Sequence, residues 1–225
     1  MIQLITGLIA SSAHVISGPD HLAAVLPLAI SSKKKSWMVG LSWGIGHTLG
    51  ALLIGLLFLL FRRFIKIENI STYSEQIVGI VLITIGAWAI YRTFREREHV
   101  AHDHTHDQKN SDESIYSHSH AHTHRQTRQN VFTSLGIGVI HGLAGVSHLF
   151  GVIPTLALPT RFQAVMYLTG FALGTIVVMV LFSVLMGILA HKASESRRRE
   201  VFKILRIGGG VLAIVVGIYW IATTF

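Results

Sequence analysis

The sequence predicts an all-α polytopic membrane protein: six transmembrane helices arranged as two inverted three-helix repeats. Three observations predict this class. Hydrophobic residues make up 51% of the 225 positions and charged residues only 13%, with a mean hydropathy of +0.54; a soluble domain of this size would carry more charge. An apolar frame recurs: HVISGPDHLAAVLP, His14 to Pro27, returns as HGLAGVSHLFGVIP, His141 to Pro154, at an offset of 127 (141 − 14). That frame carries ionisable residues, which cost about 2.5–3.5 kcal/mol each at a bilayer centre on insertion scales and so mark function by default. A duplicated frame of this kind is a sign of a secondary transporter.

About 20 apolar residues cross a bilayer. Spans are expected near residues 2–30, 36–62, 74–93, 131–158, 162–190 and 203–224. The first is overlong for one straight helix, and Gly18-Pro19 offers a break, because Pro19 lacks an N–H and would clash with the Val15 carbonyl. The second contains GLSWGIGHTLG, Gly40 to Gly50, whose Gly40, Gly44, Gly46 and Gly50 permit close helix contact. The third and sixth match through Gly79–Gly86 (GIVLITIG) and Gly210–Gly217 (GVLAIVVG), at an offset of 131 (210 − 79). The fourth repeats the first but has Val146 and Ser147 in place of the Pro and Asp, and is expected to be straighter. The second and fifth match loosely, through Leu41/Leu168 and Thr48/Thr175. Three crossings per half force opposite orientations, so the repeat is inverted. The organisation is then 1–94, first repeat; 95–130, a polar loop; 131–225, second repeat.

Lysine and arginine set the orientation. With the N-terminus outside, the inner segments hold Lys33–Lys35, six residues from Arg92 to Arg128 and six from Lys192 to Arg206, 15 in all; Arg62, Arg63, Lys66 and Arg161 leave 4 outside. Both termini are expected outside the cell (inner) membrane and the long loop in the cytoplasm. That loop is polar and almost free of aliphatic residues, a composition expected to be disordered. It carries His102, His104, His106, His118, His120, His122 and His124 with Asp103 and Asp107, an H-x-H pattern that reads as a loose metal buffer.

Several classes fall away. The net charge of +8 sits between the apolar segments, where it orients a membrane protein, so nucleic acid is not the expected partner. There is no cysteine, which excludes disulfides, thiolate ligands and covalent haem attachment. No phosphate-binding loop of an ATPase is present. The N-terminal apolar stretch lacks a basic n-region and contains His, Asp and Pro, so it is expected to be a retained span rather than a signal peptide.

The metal-ligating candidates are His14, Asp20, His21 and His47. Residues 14 and 21 share a helix face but stand about 10.5 Å apart along a straight helix, whereas metal–nitrogen bonds are near 2.0–2.1 Å. They can share an ion only if the helix breaks between them. Asp20 is the lone carboxylate deep in a span, and His47 lies beside the glycine-rich face of the second. His141 and His148 form a weaker second-half candidate, without carboxylate or break. His191 and the aromatics Trp37, Trp88, Trp220 and Tyr219 sit near span ends and read as interfacial anchors.

At these residues the chain resembles the nickel/cobalt transporter superfamily, with its urease-accessory-protein-H-like and efflux branches. His14, Asp20 and His21 stand for that superfamily's His-x₄-Asp-His motif, here one residue longer, and Gly46-His47-Thr48 for its Gly-His-Ser/Thr motif. HGLAG, His141–Gly145, is similar to its second-half motif; acidic motifs of later spans are missing. The resemblance implies a permease for a divalent transition metal, Ni²⁺ or Co²⁺ favoured, with no tightly bound cofactor and no enzymatic activity. Its partners would be the transported ion and the lipid bilayer, with room for a homo-oligomer and a cytoplasmic metallochaperone. A Zn²⁺ or Fe²⁺ carrier, or a membrane haem or metal enzyme using the paired histidines, is the alternative.

Overall fold

The computed structural model describes residues 1–61, 67–95, 123–143, 153–195 and 199–223. Among them every regular element is helical: α1 Ile2–Ser17, α2 Pro19–Ser32, a 3-10 turn Lys33–Lys35, α3 Ser36–Phe61, α4 Ile67–Arg95, α5 Thr123–Leu143, a 3-10 turn Ile153–Ala157, α6 Arg161–Glu195 and α7 Arg199–Thr223. Four stretches are long and apolar enough to cross a membrane: Pro19–Leu56, Glu75–Arg95, Arg161–Ser194 and Glu200–Thr223. Ile2–Ser17 is apolar but short, because the first expected span is two helices. α5 begins at Thr123, eight residues before the expected start at 131, and so absorbs the end of the segment expected to be loop. Residues 144–152, which hold His148, and residues 96–122, which hold the loop histidines before His124, lie outside the described residues. The expected contrast between a broken first span and a straight fourth therefore has only its first half described.

The break is where Pro19 demands it. The Gly18 N–H closes α1 on the His14 carbonyl at 3.0 Å, Gly18 itself is extended (φ −89°, ψ 98°), and Pro19 opens α2 at N1. Proline is at ease there, since its missing N–H would find no helical partner at N1 anyway. At the far end of α2 the chain reverses through Lys33, whose φ of 48° and ψ of −119° are unusual for a residue with a side chain.

α2 is central. Ten of its 14 residues are buried, and it touches α3, α4, α5, α6 and α7. Around it the long helices pair: α3 along α5, α1 along α6 and α4 along α7. The pairs approach closely where side chains vanish. A Cβ on Gly142 would overlap the His47 carbonyl, and one on Gly46 the Leu135 carbonyl. Without a hydrophobic drive inside lipid, such backbone proximity supplies the van der Waals contact that holds helices together.

Polar and apolar groups are arranged as a bilayer requires. Val15, Ala24, Val25, Leu28, Val39, Trp43, Leu82 and Met179 form a closed core. Large aliphatic residues face outward along every long helix, among them Leu49, Leu52, Ile80, Leu181, Ile204 and Val215. Inside, polar side chains cross-link helices: Ser42 Oγ donates to the Val131 carbonyl at 2.7 Å, Ser134 Oγ to Val39 at 2.8 Å, and Asn130 Nδ2 to Ser32 Oγ at 2.9 Å. The chain is an all-helical, multi-pass membrane protein.

Candidate metal centre

The α1–α2 break brings His14 and His21 together. Their ring centroids are 4.8 Å apart, where a straight helix would hold the residues about 10.5 Å apart along its axis. The α2–α3 hairpin adds His47. His21 stands 11 residues before Ser32 and His47 stands 11 residues after Ser36 (32 − 21 and 47 − 36), so the antiparallel hairpin sets them side by side, with centroids 5.2 Å apart. The close α3–α5 contact then carries in His141, whose ring lies 4.7 Å from that of His21 and 5.8 Å from that of His47.

Asp20 joins two helices. Its Oδ1 is 2.9 Å from His21 Nδ1, and its Oδ2 is 3.0 Å from His141 Nε2. An ionised carboxylate only accepts, so each imidazole donates an N–H to it. Asp20, His21, His47 and His141 are 7%, 2%, 1% and 3% exposed, and His14 is half-buried. Burying such groups in a low-dielectric interior is costly unless they are paired with each other or with an ion. Gly18 makes the arrangement possible, because a Cβ there would overlap His21 Nδ1 and stand 2.8 Å from Asp20 Oδ1.

Two groups of ligand atoms fall within 4.8 Å of one another among the described residues: His14, His21 and His47; and Asp20, His21 and His141. His21 belongs to both. All four first-half candidates are thus gathered, and His141, expected in a separate second-half site, lies against Asp20. His124 falls in the first turn of α5, and His191 is half-buried near the end of α6. Of the expected anchors, Trp37, Trp88 and Tyr219 are exposed, while Trp220 packs against the core.

Sequence reasoning missed Trp43. Its indole stacks on His47 (4.7 Å, 9° between planes) and lies 5.5 Å from His21 and 5.6 Å from His141. The signal was its position four residues before His47, one turn away on the same helix face. Trp43 Nε1 and Thr48 Oγ1 are buried and make no hydrogen bond among the described residues; orphans of this kind in a native interior call for an explanation.

The transmembrane region of cytochrome c biogenesis proteins, as a protein family, matches residues 3–219. The chain is 34% identical over 221 residues to Chloroplast protein FOR GROWTH AND FERTILITY 2 of Arabidopsis thaliana, and 34% identical over 222 residues to FOR GROWTH AND FERTILITY 1 of the same plant. Each alignment takes in 98% of this chain, which spans only 56% and 59% of those proteins. It is 31% identical over 188 residues to the urease accessory protein UreH of Bacillus sp. (strain TB-90), covering 82% of this chain and 76% of that protein. No solved structure matches.

Proposed function

Since the chain belongs to the family of the cytochrome c biogenesis protein transmembrane region, a membrane family, we propose that it carries a divalent transition-metal ion across the bilayer, Ni²⁺ or Co²⁺ in preference. The observation that carries this reading is the convergence of His14, Asp20, His21, His47 and His141 from four helices onto one buried cluster. A mid-membrane depth agrees with helix length: His21 is 11 residues from the end of α2, about 16 Å by helical rise and about half of a 30 Å hydrocarbon core. Imidazole donors beside a carboxylate charge, without thiolate, suit borderline divalent ions, Zn²⁺ and Fe²⁺ being the alternatives. The likeness to a urease accessory protein agrees with the resemblance to nickel and cobalt permeases.

The packing supports two inverted repeats of three spans. An exact two-fold would send a contact between residues i and j to one between their repeat partners. Gly79 faces the Gly217 carbonyl and Gly86 the Gly210 carbonyl; with Gly79 matching Gly210 and Gly86 matching Gly217, each contact is the image of the other. Gly7 faces Tyr167, and its image at the 127-residue offset is 134 with 40; Ser134 bonds to Val39, one residue away. The helix pairing α1·α6, α3·α5, α4·α7 follows the same rule once α1 and α2 are taken as one span.

Charge supports the orientation, with both termini outside an inner cell membrane. Lys33 Nζ lies 4.8 Å over the Phe202 ring and Lys203 Nζ 5.6 Å over Phe94, so the three Lys/Arg-rich segments gather at one end of the bundle. The membrane potential is a sufficient drive for uptake: a divalent ion gains about 7 kcal/mol at roughly 150 mV, or about 10⁵-fold accumulation. The loop histidines on that side would buffer the ion.

The family's description invites a haem or thiol role. The chain has no cysteine for thioether attachment or thiol exchange, and the His14, His47 and His141 rings all stand within 4.7–5.2 Å of the His21 ring, which leaves no gap for a macrocycle between them. A carrier that performs no catalysis is the better fit. The test is Ni²⁺ and Co²⁺ flux into proteoliposomes of known orientation, with and without an imposed potential. Flux that grows with potential and vanishes in His21→Ala and His47→Ala is expected; absence of flux for Ni²⁺, Co²⁺, Zn²⁺ and Fe²⁺ alike overturns the reading.

A further inference from the structure

Resting on the metal reading above, the geometry points to a division of labour at the centre: His14, His21 and His47 take the ion, while Asp20 is a positioning residue that holds His21 and His141 and does not touch the ion. Two sets of distances separate the groups. Ligand atoms bound to one tetrahedral ion at 2.0–2.1 Å stand about 3.3 Å apart. The Asp20 contacts, 2.9 Å to His21 Nδ1 and 3.0 Å to His141 Nε2, are shorter and are hydrogen bonds. Rings bound through one nitrogen to such an ion have centroids about 5 Å apart. The His14–His21, His21–His47 and His14–His47 centroids are 4.8, 5.2 and 6.5 Å apart; the His141 ring is as near to His21 and His47 (4.7 and 5.8 Å), but its Nε2 is engaged by Asp20, and the ligand atoms that converge with those of His21 and His47 are those of His14.

His21 is the joint between the two groups. Its Nδ1 edge is turned to Asp20 and to Gly18, where a Cβ would overlap Nδ1. An imidazole that donates Nδ1–H presents its Nε2 lone pair on the opposite edge. That is the arrangement by which a carboxylate fixes the tautomer and aim of a metal-bound histidine, and losing such a partner costs about 10–100-fold in affinity. The second carboxylate oxygen extends the clamp to His141 on α5, so the ion-binding ring of one half is braced against the first helix of the other. Asp20 still contributes its charge through His21, which lowers the cost of holding a divalent ion in this interior.

The experiment is Co²⁺ titration of the purified full-length chain, followed by its d–d absorption, whose band positions and intensities report the ligand set. The background carries serine at every loop histidine from His102 to His124, so that the membrane site is read alone. In Asp20→Asn the affinity should fall about 10–100-fold with the bands at saturation unchanged, because the three imidazoles remain. His14→Ala should change the bands. His141→Gln serves where Asp20→Asn does not fold: its bands too should match the background. Bands that shift in Asp20→Asn or His141→Gln, or stay fixed in His14→Ala, place the ion on the Asp20 group and overturn the assignment. An unchanged affinity in Asp20→Asn also overturns it. If the background itself binds no Co²⁺, the metal reading fails, and this assignment falls with it; the two failures are told apart by that first titration.

Discussion

Trp43 packs against three of the four clustered imidazoles. Its ring lies flat on His47 and edges against His21, a contact that favours one orientation of each imidazole. Trp43→Phe keeps an aromatic face and removes the orphaned N–H; metal affinity should stay within a few-fold of wild type. Trp43→Leu removes the stack, and affinity should fall about ten-fold or more, as when an orienting partner is lost. Equilibrium Co²⁺ titration of both variants checks this, and equal affinities would contradict it. At this scale the sequence showed His14, Asp20, His21 and His47, because an ionisable group in hydrocarbon stands out by its cost alone. The place of His141 was not legible. It depends on α3 and α5 packing closely enough for Asp20 to reach a residue 121 positions away (141 − 20), and no local pattern encodes that approach.

The elements obey local rules where those rules are strong. Gly18-Pro19 breaks the first span, where Pro19 lacks an N–H and would clash with the Val15 carbonyl, although Pro27 is accommodated inside α2; the break places His14 beside His21. Pro19→Ala removes the clash and the bias that keeps residue 18 out of helical conformation. The two helices can then join, which separates the histidines; metal affinity should drop at least about ten-fold, while helical content measured by circular dichroism stays the same or rises. Lys33 tests the opposite case, a local rule broken. Its backbone conformation costs about 1–3 kcal/mol, and its cation–π contact with Phe202 (4.8 Å) returns about 0.5–1 kcal/mol. Strain wins, so Lys33→Gly should raise the melting temperature in detergent by a few degrees, and a lower one would show that the contact matters more. The hairpin itself was foreseeable from the lysine cluster. That α2 would be a buried central helix was not, since its apolar pattern reads the same facing lipid or facing protein.

For the whole molecule, the Gly79–Gly217 and Gly86–Gly210 contacts are those that an inverted repeat would produce, and Lys33 and Lys203 lie at the end of the bundle where Phe202 and Phe94 stand. Six spans were expected from length and hydropathy, and four stretches meet that criterion directly. The first expected span is divided at Gly18-Pro19, which leaves α1 short, and the expected fourth span continues past Leu143 into residues outside the described ones. Because the chain has no native cysteine, Ser114→Cys is a clean topological probe. It should be labelled by a membrane-impermeant maleimide only after the cells are opened, and labelling of intact cells would reverse the orientation. The most direct test of the central claim is equilibrium dialysis of the purified protein against Ni²⁺, with all loop histidines from His102 to His124 changed to serine. One ion per chain is predicted, lost in His47→Ala; no bound ion, or the same stoichiometry with His47 replaced, would contradict a transport site at this cluster.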